Sequence, residues 1–414
     1  MSIAQLHQQL SALPVTHPEY AVLFVEALLA AAREARASDL HLQPTQDGLQ
    51  LRWRLDGVLQ VVGVYPAAAA AQVVARLKVL ADLLTYRTDV PQEGRIRAPR
   101  AAESTVEGAT LDLRLSTFPT LFGEKAVVRL FNTEDRLLRL DDLRLPEDIA
   151  VRLSELLAEN SGAILITGPA GSGKTTTAYA CLRELRARHG DARNLVSVED
   201  PIEVAVAGVA QTQVNEHAGL DLAEALRFML RQDPEVMLIG EIRDALTART
   251  AFQAALTGHL VLSTFHAGSA VSAISRLLEM ELEPYLLRSG VLAIVNQRLV
   301  RRLCGCARPG HDTEQALGLP VRRFSLPQGC DACRQTGYAG RALVAEMIVP
   351  GDSLLGSGIL AREDAARLEA RAKECGLIDR WQRSLALVES GVTSPEEVRR
   401  VLGWRRAGAA ESGS

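Results

Sequence analysis

The stretch GPAGSGKTTT, residues 168–177, constrains the fold of this chain more than any other, and it directly follows the apolar run Ala163-Ile164-Leu165-Ile166-Thr167. It holds the whole G-x-x-x-x-G-K-[ST] pattern, from Gly168 through Gly173 and Lys174 to Thr175. A buried strand before the loop and a helix after it, over about residues 175–188, supply the context the motif needs. The glycines let the backbone wrap a phosphate with its N–H groups inward, and the helix N-terminus adds the positive end of its dipole. The expected phosphate-binding residues are Gly168, Pro169, Ala170, Gly171, Ser172, Gly173, Lys174, Thr175 and Thr176. Lys174 would reach the β- and γ-phosphates, and the Thr175 hydroxyl would ligate Mg²⁺. An ordinary glycine-rich turn is the bland alternative, and the complete pattern in its context argues against it. The chain should bind a nucleoside triphosphate.

The rest of the chain is read around that loop. Period-2 alternation over Leu49-Gln50-Leu51-Arg52-Trp53-Arg54-Leu55, then Asp56-Gly57 and a second apolar run, predicts a hairpin. Helices are expected after Pro18 and Pro66, and further strands over 111–116 and 124–131. Residues 18–132 thus form an α+β domain after a weakly patterned N-terminal extension, 1–17. A linker over 133–148, with helical turns of its own, leads to an α/β core over 149–300. There helices alternate with short apolar runs at 164–167, 195–198, 236–239 and 260–264, the pattern of a parallel sheet covered on both faces, with ligand at the strand C-terminal ends. A cysteine-bearing insert (301–345) and a helical tail (346–414) follow, with GAAESGS as a frayed end.

Two further apolar strands end in acid. VMLIGEIRD, residues 236–244, places Glu241 where a carboxylate can hold the Mg²⁺ shell or orient the attacking water. VSVEDP, residues 196–201, does the same with Glu199 and Asp200. Carboxylates at strand ends are also common caps, but two beside one phosphate loop divide naturally into metal holding and base work. TGHLVLSTFHAG, residues 257–268, is a strand ending in Ser263-Thr264 and bracketed by His259 and His266, and a polar residue after it can sense a γ-phosphate. His266 is the better candidate by position.

Cys304-Gly-Cys306 and Cys330-Asp-Ala-Cys333 are two short-spaced pairs, suited to a tetrahedral structural Zn²⁺ on an insert too small for its own core. The first pair is C-x-C rather than C-x-x-C, and His311 could stand in for one cysteine. Cys181 and Cys375 fall on expected helices and read as core thiols.

In order, GPAGSGKTTTAYA, NLVSVEDPIE, LRQDPEVMLIGEIRD, AALTGHLVLSTFHA and QRLVRRLC resemble the secretion-superfamily ATPases, the motors of type II secretion and type IV pilus assembly. ASDLHLQP, LRWRLDGVL, PQEGRI and LDLRLSTFPTLFGEKAVVRL resemble that family's N-terminal domain, so the likeness covers roughly 18–345. It implies a RecA-like P-loop NTPase domain, a hexameric ring and ATP hydrolysis coupled to motion. On this chain it implies Glu199 as general base or water-positioning carboxylate, Glu241 acting on Mg²⁺ through water, and His266 as γ-phosphate sensor. It also implies arginine fingers at Arg95 and Arg114, with Arg129 a weaker candidate; without the resemblance these read as a solvated strand face. A tetracysteine zinc module is implied too, one that retraction motors generally lack. Many members carry a further N-terminal domain that docks on an inner-membrane platform, whereas about 17 residues precede the first expected helix here.

Composition excludes more than it selects. A 47% hydrophobic content supports real cores, and a net charge of −4 with 4% aromatic residues gives little for nucleic-acid binding or base stacking. No signal sequence and no run of 18 apolar residues is visible, so a cytoplasmic location with peripheral membrane contact through partners is expected. The competing readings are a RecA-like ATPase acting on nucleic acid and a nucleotide-binding switch without turnover.

Overall fold

The computed structural model describes residues 3–97, 112–130, 139–312 and 314–404. The first part of the expected linker, the start of the strand expected at residue 111 and the expected frayed end lie outside them. The chain divides into two compact units, Met1–Glu134 and Asp135–Ser414.

The first unit runs α1 (Ile3–Ser11), α2 (Tyr20–Ala35), β1 (Asp39–Thr45), β2 (Gly48–Leu55), β3 (Val58–Tyr65), α3 (Ala67–Leu80), β4 (Gln92–Arg97), β5 (Asp112–Thr120) and β6 (Gly123–Leu130). Its sheet has the order β3-β2-β1-β6-β5-β4, antiparallel throughout. The Asp56-Gly57 turn has φ of 46° and 83°, the doubly positive geometry that joins tightly twisted strands. Alternation sends Leu49, Leu51, Trp53 and Leu55 into a core shared with Phe24 and Leu28 of α2 and Val73 and Leu77 of α3. Helix α1 lies within the N-terminal extension read as weakly patterned and ahead of the first expected helix: Leu6 and Leu10, one helical turn apart, are buried in that same core. Lys78 and Glu124 form a buried ion pair at 2.9 Å, and Lys78 Nζ also donates to the Arg87 carbonyl at 2.7 Å.

The second unit continues with α4 (Glu147–Leu156), β7 (Gly162–Thr167), α5 (Lys174–His189), β8 (Leu195–Glu199), β9 (Ala210–Gln213), α6 (Leu222–Met229), β10 (Val236–Ile239), α7 (Ala245–Leu256) and β11 (Leu260–Phe265). There follow α8 (Ala270–Glu279), α9 (Pro284–Gly290), β12 (Val291–Leu303), β13 (Arg308–Pro309), β14 (Ser325–Leu326) and β15 (Tyr338–Ile348). Four helices close it: α10 (Leu354–Leu360), α11 (Ala365–Glu374), α12 (Arg380–Glu389) and α13 (Pro395–Leu402). The main sheet has the order β15-β12-β7-β11-β10-β8-β9, parallel except for β15. Every residue of β7, β8, β10 and β11 is buried, as strands covered on both faces must be. The sheet runs past both expected ends of the cysteine insert, because β12 extends to Leu303 and β15 begins at Tyr338. Parallel register aligns the C-terminal ends of β7, β11, β10 and β8 along one edge of the sheet, and the site is built there.

Candidate nucleotide-binding site

The loop 168–173 leaves the end of β7 and turns into α5. Gly168 has φ of 146°, and a Cβ there would lie 2.4 Å from the Gln297 carbonyl oxygen. Gly173, the residue before α5, has φ of 87°. Both positions demand glycine, and together they curl the backbone into a cradle that faces the N-terminus of α5. Gln297 of β12 braces the cradle: its Nε2 donates to the Ser172 carbonyl at 2.8 Å, and its Oε1 accepts from Thr177 Oγ1 at 3.1 Å. Its neighbour Asn296 donates to Thr167 Oγ1 at 2.9 Å and to the Ala267 carbonyl at 3.1 Å, tying the end of β7 to the segment after β11.

Lys174 is folded back over the loop and donates to the Gly168 and Pro169 carbonyls at 3.1 Å each. Burial holds its ammonium below the ordinary value, and Glu241 and Glu203 pull it back up. Its Nζ lies 3.5 Å from His266 Nδ1, and His266 Nε2 lies 3.0 Å from Glu241 Oε1. Arg243 then bridges Glu241 Oε2 at 3.1 Å and Asp200 Oδ2 at 3.2 Å. Lys174, His266, Glu241 and Asp200 thus form one continuous polar chain across four strand ends. The donor set fits a triphosphate and its metal: a lysine, a ring of loop amides, a half-buried Thr175 and a carboxylate. Glu199 closes β8 almost fully buried, accepting from Ser197 Oγ at 2.6 Å, from Gln211 Nε2 at 3.0 Å and from the Tyr179 hydroxyl.

One expectation fails on geometry. His259 precedes β11, at the end of the strand away from the loop, where its Nδ1 meets the Ala254 carbonyl of α7 at 3.0 Å. A strand of six residues, about 20 Å long, separates it from the phosphate loop. Ser263 and Thr264 donate their hydroxyls to the Ile239 and Gly240 carbonyls at 2.8 and 2.6 Å and so secure the end of β10. The segment after β11 is held open-side by arginines: Arg276 donates to the His266 carbonyl and Arg298 to the Gly268 carbonyl at 2.8 Å.

In the first unit, Arg95, Arg114 and Arg129 are direct cross-strand partners on β4, β5 and β6. The row continues through Asp39 of β1 to Arg54 of β2. Direct partners in an antiparallel ladder share a face, so four arginines stand in line on the face opposite the core. Asp39 pairs with Arg129 at 3.2 Å and Arg54 at 3.4 Å, and Glu93 pairs with Arg114 at 2.5 Å.

The model of the family described as "Type II/IV secretion system protein" matches residues 17–400. The chain belongs to this family. Type II secretion system protein E of Klebsiella pneumoniae is 39% identical over 385 residues, covering 92% of this chain and 75% of that protein. The type IV pilus assembly ATPase PilB of Thermus thermophilus is 37% identical over 384 residues, covering 91% of this chain and 42% of that protein. Among solved structures, the pilus retraction motor PilT with bound ADP shares the fold with a TM-score of 0.62 at 24% identity, over 91% of this chain and 96% of that one. The relatives of this secretion family are thus secretion-system proteins and pilus ATPases, on an α/β fold with a parallel sheet.

The family member described here also gathers Cys304, Cys306, Cys330 and Cys333, their sulfurs all within 4.8 Å of one another. Neighbouring sulfurs lie 3.8 Å (Cys304–Cys330), 3.9 Å (Cys306–Cys333) and 3.7 Å (Cys330–Cys333) apart. Four thiolates at about 2.3 Å from a tetrahedral ion stand about 3.8 Å apart, so the group fits a metal. Burial opposes ionisation of Cys333, but N–H groups of Cys330 and Gly337 at 3.1 and 3.2 Å outweigh it, with the neighbouring thiols, and bring the thiol down to about 6. The C-x-C spacing of the first pair is no obstacle to this geometry, and His311 is not part of the group. Cys181 is buried as expected, its thiol pushed up to about 12 by burial. Cys375 is exposed instead, because it caps the C-terminal end of α11.

Several residues of the site gave no sequence signal of their own. Tyr179, Gln211 and Gln297 are ordinary residues of a helix and two strands until the fold turns them toward Glu199 and the loop. Arg243 follows Glu241 by two places and was visible within the EIRD segment.

Proposed function

We propose that this chain is an Mg²⁺-dependent ATPase that works as a homohexameric motor in assembling a type II secretion pseudopilus or a type IV pilus at the inner membrane. The observation that carries the reading is the meeting of Lys174, His266 and Glu241 beside the phosphate loop, with Glu199 at the next strand end, in a chain of the type II/IV secretion family. ATP would draw Lys174 off the Gly168 and Pro169 carbonyls and onto its β- and γ-phosphates. Thr175 and, through water, Glu241 would hold Mg²⁺, which shields phosphate charge when bound. His266, poised between Lys174 and Glu241, would report the γ-phosphate. Glu199 would take the proton of the attacking water as its oxygen bonds to the γ-phosphorus and ADP departs. Arg95 and Arg114 would supply positive charge to the leaving phosphates, favoured by their alignment with Arg129 on one sheet face. The four cysteines would hold a structural Zn²⁺. Work at the membrane would pass through platform partners on its cytoplasmic side, since among the described residues no helix is long and apolar enough to cross a membrane.

Phosphate release with Mg²⁺-ATP tests this reading. Wild type should turn over, Lys174→Ala should lose nucleotide binding, and Glu199→Gln should keep binding and lose turnover. DNA should leave the rate unchanged; stimulation by DNA, or full activity in Glu199→Gln, would sink the assignment.

A further inference from the structure

Glu199 is 3% exposed, and its carboxylate is already richly bonded. Ser197 Oγ at 2.6 Å and Gln211 Nε2 at 3.0 Å both donate to Oε1, and the Tyr179 hydroxyl donates to Oε2. An ionised carboxylate offers about four acceptor positions. With Oε1 accepting from both of its donors, the position left for a water proton is on Oε2, the oxygen that Tyr179 holds. Tyr179 sits on α5, the helix whose first residue is Lys174. Its hydroxyl oxygen also accepts the Glu203 N–H at 3.2 Å. Burial, with Glu199 beside it, pushes the phenol well above its ordinary value, so it stays protonated and keeps donating.

We propose that Tyr179 is a positioning residue for hydrolysis: its hydroxyl ties Glu199 Oε2 to the phosphate-binding helix and to the segment after β8, aiming the open lone pair of the carboxylate at the attacking water. This rests on the reading of Glu199 as the water-activating base. In the step itself the water proton passes to Glu199 Oε2, the water oxygen bonds to the γ-phosphorus, and the bond to the β–γ bridging oxygen breaks with its electron pair leaving on ADP. Tyr179 exchanges no proton. It keeps the carboxylate from rotating and keeps the base in fixed register with Lys174, so the nucleophile and the phosphate it attacks are referred to one rigid helix.

The competing role is packing, since the Tyr179 ring lies in the core under the sheet with Leu182 and Leu185. Tyr179→Phe separates the two, because the ring stays and the donor goes. Losing a hydrogen bond to a charged group should lower kcat about 10-fold or more. KM for ATP and the affinity for a fluorescent ADP should stay within about twofold of wild type, because no contact to the phosphate loop is removed. The decisive readout is a double-mutant cycle. In the Glu199→Gln background, adding Tyr179→Phe should change the residual kcat by less than about twofold, because the group it positions is no longer a base. A wild-type kcat in Tyr179→Phe, a parallel loss of ADP affinity, or a full further loss in the Glu199→Gln background would each overturn the proposal. The underlying reading fails separately: if Glu199→Gln alone retains the wild-type kcat, Glu199 is not the base, whatever Tyr179→Phe does.

Discussion

Gln297→Met removes the brace of the phosphate loop while keeping side-chain length and volume. Gln297 is fully buried, and its two bonds reach Ser172 O at 2.8 Å and Thr177 Oγ1 at 3.1 Å. Both partners lie in buried residues, so neither recovers water freely. Leaving one buried polar group unpaired costs about 1–3 kcal/mol. Thr177 follows Gly173 by one helical turn and can turn its hydroxyl to a carbonyl of that turn, which reduces its share. The sum, about 2–3 kcal/mol, should appear as a lower urea midpoint of the nucleotide-free protein with an unchanged m-value. If about half of that resides in the loop's binding geometry, ATP affinity should fall about 5- to 15-fold. The kcat at saturation should change little, since Glu199 and its donors are untouched. A stability loss below about 0.5 kcal/mol, or a fall in kcat at unchanged ATP affinity, would refute the view that Gln297 holds the cradle.

Other perturbations test other parts. Arg95→Ala and Arg114→Ala should each lower turnover at comparatively intact nucleotide affinity; equal loss of both quantities would mean ground-state binding or misfolding. Zinc analysis should give one ion per chain, lost in Cys330→Ser, and chelation should lower the unfolding temperature of wild type but leave the variant unmoved; identical melting with and without chelator would remove the structural metal. Glu124→Leu strands the Lys78 ammonium in the first unit's core and should cost about 3–5 kcal/mol in chemical denaturation, so a change under about 1 kcal/mol would show that water reaches Lys78.

The parts of this molecule legible in its sequence are those where one residue type in one local context forces the structure. The phosphate loop, Glu199, Glu241 and His266 each stand at or just past the end of a short apolar run, the pattern of a strand covered on both faces. The hairpin at Asp56-Gly57 was legible for the same reason. The strand β12 was not, because Val291–Leu303 carries Asn296, Gln297, Arg298, Arg301 and Arg302 among its apolar residues. Gln297, Arg298 and Arg301 are spent on the loop, on the Gly268 carbonyl and on Glu397 of α13, partners that exist only once the chain is folded. Helix α1 escaped because two leucines in nine residues give a faint period. His259 misled because proximity in sequence to a strand does not say which end of it a residue occupies. The arginine row became visible only with the register of β4, β5 and β6, which aligns residues far apart in the chain.

The central claim is that this chain hydrolyses ATP as part of a ring, and turnover measured against protein concentration, with the mass determined at each point, tests it most directly. Specific activity should rise as mass moves from one chain to six, and Glu199→Gln should assemble equally well without turning over. A single chain with concentration-independent turnover, or a ring no more active than its subunits, would contradict the account.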